Sequence, residues 1–193
     1  METLLSERTY TIDAYLEREA ASVEKHEFHN GKIIPVSGAS FIHNAIAVNV
    51  LTALKIATKL SDRLYYVSNS DTKIWIPAIT RFVYPDALLV SGQPVYYEGR
   101  RDVITNPRLV VEILSPSTRK KDRTAKFDLY RSLPSLEEYV LIDQNQPLIS
   151  TFSAPRAWQQ TLVRGMDRHV DLASIDAALT LADVYEGIDA LRG

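Results

Sequence analysis

The stretch VVEILSPSTRKKDRTAKFDLY runs from Val111 to Tyr130. It places an acidic residue inside a predicted strand that has the sequence pattern of a buried strand. Its first part is almost continuously apolar, which is typical of a central strand covered on both faces. Glu112 stands within that apolar run, and a proline at position 116 ends it. A buried carboxylate costs several kcal/mol unless a cation compensates it. Glu112 is therefore either half of a buried ion pair with arginine or lysine, or a functional residue.

The residues after the proline predict a helix that directs one lysine toward this strand. Asp122 can cap that helix, which is expected to run to about Ser132. Lys126 shares a helix face with Leu129 and Leu133, so it is the basic residue expected to point inward. Four other basic residues are placed for solvent or for phosphate groups, and a solvated surface is the alternative: Arg119, Lys120, Arg123 and Arg131.

A second acidic residue stands at the entrance of another apolar strand. In Tyr84-Pro85-Asp86, the proline stands shortly before the apolar run ALLV. A proline is tolerated at the entrance of a strand, because its missing N–H is not needed there for a hydrogen bond to the next strand. The Asp86 carboxylate can therefore face a cleft, although an isolated Pro-Asp pair is more often a polar turn. Two acids on neighbouring strand ends form the usual oxygen cage for Mg²⁺.

Composition limits the classes of protein to consider. The 193 residues favour a single domain over residues 1–193, and the absence of cysteine leaves oxygen and imidazole as metal ligands. The formal charge of −2 means that nucleic-acid binding would need a local basic patch. The N-terminus lacks a signal-peptide pattern, and no stretch approaches the roughly 18 apolar residues of a membrane span. We expect a cytoplasmic protein without a membrane partner.

The order of predicted elements favours an α/β or α+β fold, with a mixed β-sheet flanked by helices. Thr11 caps a short first helix, and Ser40 or Asn44 opens a long one that ends near Leu60. That long helix is apolar on most sides, so we expect it to be well buried. Strand patterns follow, among them RFVYPDALLV, RLVVEILS and a hairpin joined at DQNQP. Thr180 caps a last short helix.

Together these motifs resemble the Uma-type family of endonucleases, within the restriction-endonuclease-like or PD-(D/E)XK superfamily. No motif is specific by itself, but their order is. The matching segments are Glu27-Phe28-His29-Asn30-Gly31-Lys32-Ile33, His43-Asn44, Ser70-Asp71-Thr72-Lys73, Tyr84-Pro85-Asp86, Val111 to Thr118 with Asp122 and Lys126, and Glu138 to Asp143.

The resemblance implies a metal-dependent DNA endonuclease that hydrolyses phosphodiester bonds. Carried over residue by residue, Asp86, Glu112 and the backbone carbonyl of Ile113 would bind Mg²⁺ or Mn²⁺. Glu27 would be a further acidic member of the site.

One position departs from the superfamily pattern. The usual lysine lies two residues past the glutamate, where this chain has Leu114. The resemblance implies that Lys126, from the next helix, takes its place in catalysis. Further candidates for contacts around the metal or with substrate are His43, Asp71, Ser115, Arg119, Lys120 and Arg123.

Other functions stay open. A catalytically inactive nuclease fold could bind nucleic acid or a protein partner, because a fold does not fix a function. A phosphodiesterase acting on small nucleotides is a third reading. No P-loop or dinucleotide-binding glycine motif is visible, so no organic cofactor is expected. Cutting two DNA strands is simplest with two symmetric sites, so we expect a homodimer, for which the hairpin from Tyr139 to Phe152 could supply the interface.

Overall fold

In a computed structural model, residues 9–114 and 126–191 are described. They form two six-stranded sheets covered by helices, together with one two-stranded hairpin. The fold is therefore α+β with mixed sheets, and the predicted fold class is confirmed. The predicted cap Asp122 lies outside the described residues.

The helices begin at polar caps that the sequence marks. The Thr11 side chain accepts a hydrogen bond from the Ala14 N–H at the first helix, and the Thr180 side chain accepts one from the Asp183 N–H at the last. Ser40, rather than Asn44, caps the long helix. The α-helices of the described residues are α1 (Ile12–Ala21), α2 (Phe41–Thr58), α3 (Phe127–Arg131) and α4 (Leu181–Val184).

The first sheet has the strand order β2-β1-β5-β4-β8-β7 and is antiparallel except for the parallel pair β4–β8. Its hairpin turn uses positive φ at Asn30 and Gly31, as the Asn-Gly signal predicts. Its strands are β1 (His26–His29), β2 (Lys32–Pro35), β4 (Lys73–Ile76), β5 (Arg81–Val83), β7 (Tyr96–Tyr97) and β8 (Arg100–Ile104).

The second sheet has the order β12-β11-β10-β9-β6-β3 and is antiparallel except for the parallel central pair β9–β10. Its strands are β3 (Tyr65–Asn69), β6 (Ala87–Ser91), β9 (Leu109–Leu114), β10 (Glu138–Asp143), β11 (Leu148–Ser153) and β12 (Gln160–Arg164). The separate hairpin consists of β13 (His169–Leu172) and β14 (Ala177–Thr180).

Two sheets replace the single sheet that the sequence suggests, because RFVYPDALLV is not one strand. Its first half is β5 of the first sheet and its second half is β6 of the second. The chain crosses between the sheets at Tyr84-Pro85-Asp86. Asp86 therefore lies where the two sheets meet, directly before a buried strand.

Side-chain alternation in β9 assigns its residues to two cores. Val111 and Ile113 pack in the cluster that contains α2, whereas Val110 and Leu114 pack in the cluster that contains α3. Glu112 has the parity of the second pair. It therefore faces the α3 side of the sheet, where Lys126 begins the helix.

The expectation that α2 is buried on most sides is wrong. One stripe is buried, formed by Ile46, Val50, Leu54 and Thr58, whereas Val48 is 61% exposed and Ile56 is 67% exposed. By length and composition alone α2 could cross a membrane, and 22% of it is buried. The buried stripe packs on the second sheet, as in the core helix of a globular domain.

Candidate active site

A cavity of about 290 Å³ opens where the two sheets meet. It brings together the candidates Glu27, His43, Asp86, Glu112 and Lys126, which lie far apart in the sequence. Its full lining is Glu27, Val36, Ser37, Gly38, Ala39, Ser40, His43, Tyr84, Asp86, Glu112, Ile113, Lys126 and Gln144.

Glu112 is buried in β9 with a donor on each carboxylate oxygen. The Tyr130 hydroxyl donates to Oε1 at 2.8 Å, and Lys126 Nζ donates to Oε2 at 3.1 Å. Burial raises the pKa of Glu112, the Lys126 charge lowers it, and the nearby Asp86 charge raises it further, to about 7 in total. Lys126 thus compensates the Glu112 carboxylate only in part.

Asp86 is held from both sides. The Ile113 N–H donates to Oδ2 at 2.6 Å, and His43 Nε2 lies 2.9 Å from Oδ1. The first contact ties Asp86 to the residue next to Glu112. The second ties it to the first turn of α2, whose cap Ser40 also accepts the His43 N–H. Asp86 therefore has a fixed orientation in the cavity, and it is the N–H of Ile113 that contacts it.

Glu27 enters the cavity from β1. The Tyr84 N–H reaches its Oε1 at 3.4 Å, and His29 Nε2 lies 2.8 Å from its Oε2. Burial raises the pKa of Glu27, but the His29 hydrogen bond and the Lys126 charge lower it more, so the net shift is downward. Glu27 therefore carries its negative charge more readily than Glu112.

Behind the cavity lies a polar network that sequence reasoning missed. The Tyr84 hydroxyl donates to Glu19 Oε1 at 2.7 Å and accepts from Lys73 Nζ at 3.2 Å. Lys73 also donates to Asp102 at 2.6 Å. Burial raises the pKa of Tyr84, and the hydrogen bond to Glu19 raises it further. The network holds Tyr84, which precedes Pro85 and Asp86, in place. The one signal of this network in the sequence is a lysine at the start of the apolar strand KIWI.

Not every candidate belongs to the cavity. Asp71 lies in the turn between β3 and β4, where it pairs with Lys25 at 2.6 Å, and it does not line the site. Asp71 is predicted beside the metal or substrate, and that role stays a prediction. The remaining candidates lie outside the described residues: Ser115, Arg119, Lys120 and Arg123.

The donor set fits a hard divalent cation that keeps part of its water shell. Within residues 9–114 and 126–191, no group of three or more His, Asp or Glu side chains is arranged to hold a metal ion. Asp86 and Glu112 nevertheless share one cavity, where the Asp86 charge disfavours the ionised form of Glu112. Mg²⁺ is commonly held by one or two carboxylates together with waters and substrate phosphates. Mg²⁺ or Mn²⁺ therefore matches these ligands better than a cation that needs a full protein cage.

Sequence comparison identifies relatives along most of the chain. Residues 12–182 match the family model described as "Uma2: Putative restriction endonuclease". The uncharacterized protein sll1609 of Synechocystis sp. is 33% identical over 175 residues, covering 90% of this chain and 98% of the relative. The uncharacterized protein slr1290 of the same organism is 32% identical over 178 residues, covering 91% of each.

Structural comparison supports the same assignment. The fold matches the crystal structure of "a putative nuclease belonging to DUF820" from Anabaena variabilis, with a TM-score of 0.72 and 17% sequence identity. The match covers 93% of this chain and 99% of that one. At this identity the structural similarity shows a nuclease-like fold and no more. The family model and the two sequence relatives show the family. The chain belongs to the Uma2 family, described as putative restriction endonucleases, and has the family's restriction-endonuclease-like fold.

Proposed function

We propose that the protein is a cytoplasmic, metal-dependent endonuclease that hydrolyses phosphodiester bonds in DNA. One observation carries the proposal: a buried glutamate, a fixed aspartate and a lysine converge in one cavity of a nuclease-like fold. The Asp86 charge disfavours the ionised form of Glu112, which Lys126 contacts. Such an arrangement gains from a bound cation.

Asp86 and Glu112 would hold Mg²⁺ or Mn²⁺, with the backbone carbonyl of Ile113 and the Glu27 carboxylate as further ligands. A divalent cation supplies Lewis acidity at a phosphate oxygen and lowers the pKa of water. The chain itself would orient the groups that bind the cation. Because the Ile113 N–H and His43 each contact one oxygen of Asp86, its carboxylate has a fixed orientation in the cavity.

Lys126 would stabilise negative charge on the phosphate in the transition state. Its ammonium group is 3.1 Å from a Glu112 oxygen, and a carboxylate at this distance favours the charged form of the lysine. A charged lysine can donate hydrogen bonds to the phosphate but cannot accept the proton of an attacking water. The geometry therefore favours charge stabilisation over general-base catalysis for Lys126.

His43 would act through Asp86. Its Nε2 contacts Asp86 Oδ1, and its ring is mostly buried beside the cavity. A histidine on an acidic ligand limits the rotation of the carboxylate and tunes its basicity. We therefore assign His43 a positioning role.

An inactive nuclease fold that binds nucleic acid or a protein is the alternative function. Glu27, Asp86, Glu112 and Lys126 are all present and gathered in one cavity, which argues against loss of the site. The net charge of −2 favours weak DNA binding or binding helped by a partner. Salt dependence would identify phosphate contacts, because these release counterions from DNA.

Cleavage of supercoiled plasmid in Mg²⁺, Mn²⁺ or EDTA tests the proposal. We expect cleavage with either metal, none with EDTA, and a loss of about 100-fold or more in Glu112→Gln. Glu17→Gln is the matched control, since Glu17 is exposed on α1 away from the cavity. Equal cleavage by the natural protein and Glu112→Gln would exclude this site, and metal-independent DNA binding without cleavage would favour the alternative.

A further inference from the structure

A second cavity adjoins the candidate active site. Its volume is about 560 Å³, and three residues of the candidate active site also line it, namely His43, Tyr84 and Asp86. Residues 36–39 line both cavities as well, so they form a shared wall. A group that is held at Asp86 therefore lies next to the second cavity as well as the first.

The charges of the second cavity do not favour another phosphate group. Its described lining includes two acids, Glu24 and Asp86, together with the lysine Lys25. Lys25 is already paired with Asp71 at 2.6 Å, and it donates to the Ser70 carbonyl at 2.9 Å. Because this lysine is engaged, the cavity favours an uncharged polar group over an anion.

An aromatic ring and an amide lie side by side on the first turn of α2, at the border of the second cavity. Asn44 is exposed and lines this cavity, and its amide can both donate and accept hydrogen bonds. Phe41 is 75% exposed and follows Ser40, which lines the first cavity. Residues three apart on a helix are neighbours, so the Phe41 ring lies beside the Asn44 amide. His43 on the same turn contacts Asp86, which fixes this turn against the candidate active site.

An exposed aromatic ring beside an exposed amide is a combination that binds unpaired nucleobases. The ring stacks on the face of a base, and the amide bonds to the edge of the base. In a duplex the bases are stacked and paired, so a base must leave the stack before it can enter a cavity. A volume of about 560 Å³ is within the range of cavities that hold small organic molecules.

We propose that the second cavity binds an unpaired nucleobase next to the phosphodiester bond that is cut. The preferred substrate is then DNA with unpaired nucleotides at the cleavage point, and this inference rests on the proposed function. The phosphate lies in the first cavity with the cation, and the neighbouring base enters the second cavity. There Phe41 stacks on its face and Asn44 bonds to its edge. The charges agree with this division, because the anionic phosphate stays with the cation and the neutral base meets the acidic lining.

Binding of a labelled single-stranded DNA oligonucleotide, and of the duplex with the same sequence, tests the inference in the full chain. Fluorescence anisotropy in Ca²⁺, a cation that takes the same oxygen ligands, measures both affinities without relying on cleavage. We expect the single strand to bind about tenfold more tightly than the duplex. Phe41→Ala should weaken single-strand binding about tenfold, as is typical for the loss of one stacked base. Asn44→Ala should weaken it about fivefold, as for one lost hydrogen bond.

Two substitutions on β12 are the matched controls. Leu162→Ala removes an exposed apolar side chain and Gln160→Ala an exposed amide, both away from the two cavities, and neither should change the affinities. Stabilisation by Mn²⁺ should be unchanged in Phe41→Ala and Asn44→Ala, which checks that the first turn of α2 still holds Asp86. Equal affinity for single strand and duplex would overturn the inference, and so would single-strand binding that neither α2 variant weakens.

Plasmid cleavage separates this inference from the proposed function. Negative supercoiling favours local unpairing, so a supercoiled plasmid should be cut faster than the same plasmid in relaxed form. Phe41→Ala should raise KM more than it lowers kcat, because the acids and Lys126 are unchanged. Equal cleavage of both plasmid forms would support the nuclease and overturn the base-binding cavity. Single-strand binding that depends on Phe41, without any cleavage, would support the base-binding cavity and overturn the nuclease.

Discussion

Lys126 Nζ lies 3.1 Å from Glu112 Oε2, although fourteen residues separate the two along the chain. The contact spans from the start of α3 to the middle of β9 and joins a cation to a fully buried acid. Ion pair and functional site are therefore not alternatives for Glu112, since the pair lies in the wall of the candidate active site. A lysine that compensates a buried acid also competes with any metal for it.

Metal binding at Glu112 should stabilise the folded protein. Mn²⁺ or Mg²⁺ at about 100 times its dissociation constant should stabilise the natural protein by roughly 2.7 kcal/mol. Glu112→Gln should lose this stabilisation, because it keeps the side-chain volume but removes the charge. Thermal unfolding with and without metal measures both values, with Glu17→Gln as control. A metal effect that persists in Glu112→Gln would place the cation elsewhere.

Replacing the lysine should separate catalysis from metal binding. Lys126→Gln should lower the cleavage rate by about 100-fold or more, as expected for loss of a group that stabilises transition-state charge. Metal should bind at least as tightly, because a competing cation next to Glu112 is gone. Single-turnover cleavage and metal-dependent unfolding measure the two effects. If Lys126→Gln also abolishes the metal effect, its role is to maintain the site's structure.

Loss of one hydroxyl group should destabilise the protein. Tyr130→Phe removes the donor to Glu112 Oε1 but keeps the ring, whose centroid is 5.4 Å from that of Tyr139. Leaving a buried acceptor unsatisfied costs about 1–3 kcal/mol. Urea unfolding should detect this loss, and Tyr96→Phe, at an exposed position, should change little.

A double variant tests whether the Tyr130 hydroxyl group stabilises the protein through the Glu112 charge. If the hydroxyl acts on the Glu112 charge, the cost of Tyr130→Phe should shrink in a Glu112→Gln background. Equal costs in both backgrounds would mean that the hydroxyl contributes through another contact.

The pH dependence of stability should contain a contribution from Glu138. Its side chain is fully buried, and burial raises its pKa above the ordinary value of 4.5, although the Ser174 N–H and hydroxyl both donate to it. The folded state therefore keeps this proton to higher pH than the unfolded state, so the contribution to stability is present at low pH and is lost as pH rises through the raised pKa.

Glu138→Gln cannot ionise, so its stability relative to the natural protein should increase as the pH rises above about 4.5. Urea unfolding across acidic to neutral pH measures this difference, and Glu17→Gln should run parallel to the natural protein. Parallel curves for Glu138→Gln would show that Glu138 has the same pKa in both states.

Local signals predicted the elements of this fold well. The caps Thr11, Ser40 and Thr180, and the strand around Glu112, all follow from patterns within a few residues. The inward placement of Lys126 also follows, because helical spacing alone puts it on an apolar face.

Contacts between residues that are distant in the sequence do not follow from such local patterns. The strand RFVYPDALLV divides between two sheets at Pro85, yet both halves have the same apolar character. The partners of Tyr84 are Lys73 and Glu19, and Glu19 lies 65 residues away. The burial of α2 was overestimated because apolar composition does not reveal whether a neighbour covers each face.

Helix α2 gives the molecule a mechanical link between two distant regions. His43 at its start contacts Asp86, and Ile56 near its end lies beside the open edge of β3. Thirteen residues of helix separate them, a rise of about 20 Å. A continuous helix moves as a rod, so a rotation that repacks Ile56 also displaces the imidazole at Asp86. Substitutions on the outer surface of α2 can therefore alter the geometry of the acidic cluster without touching it.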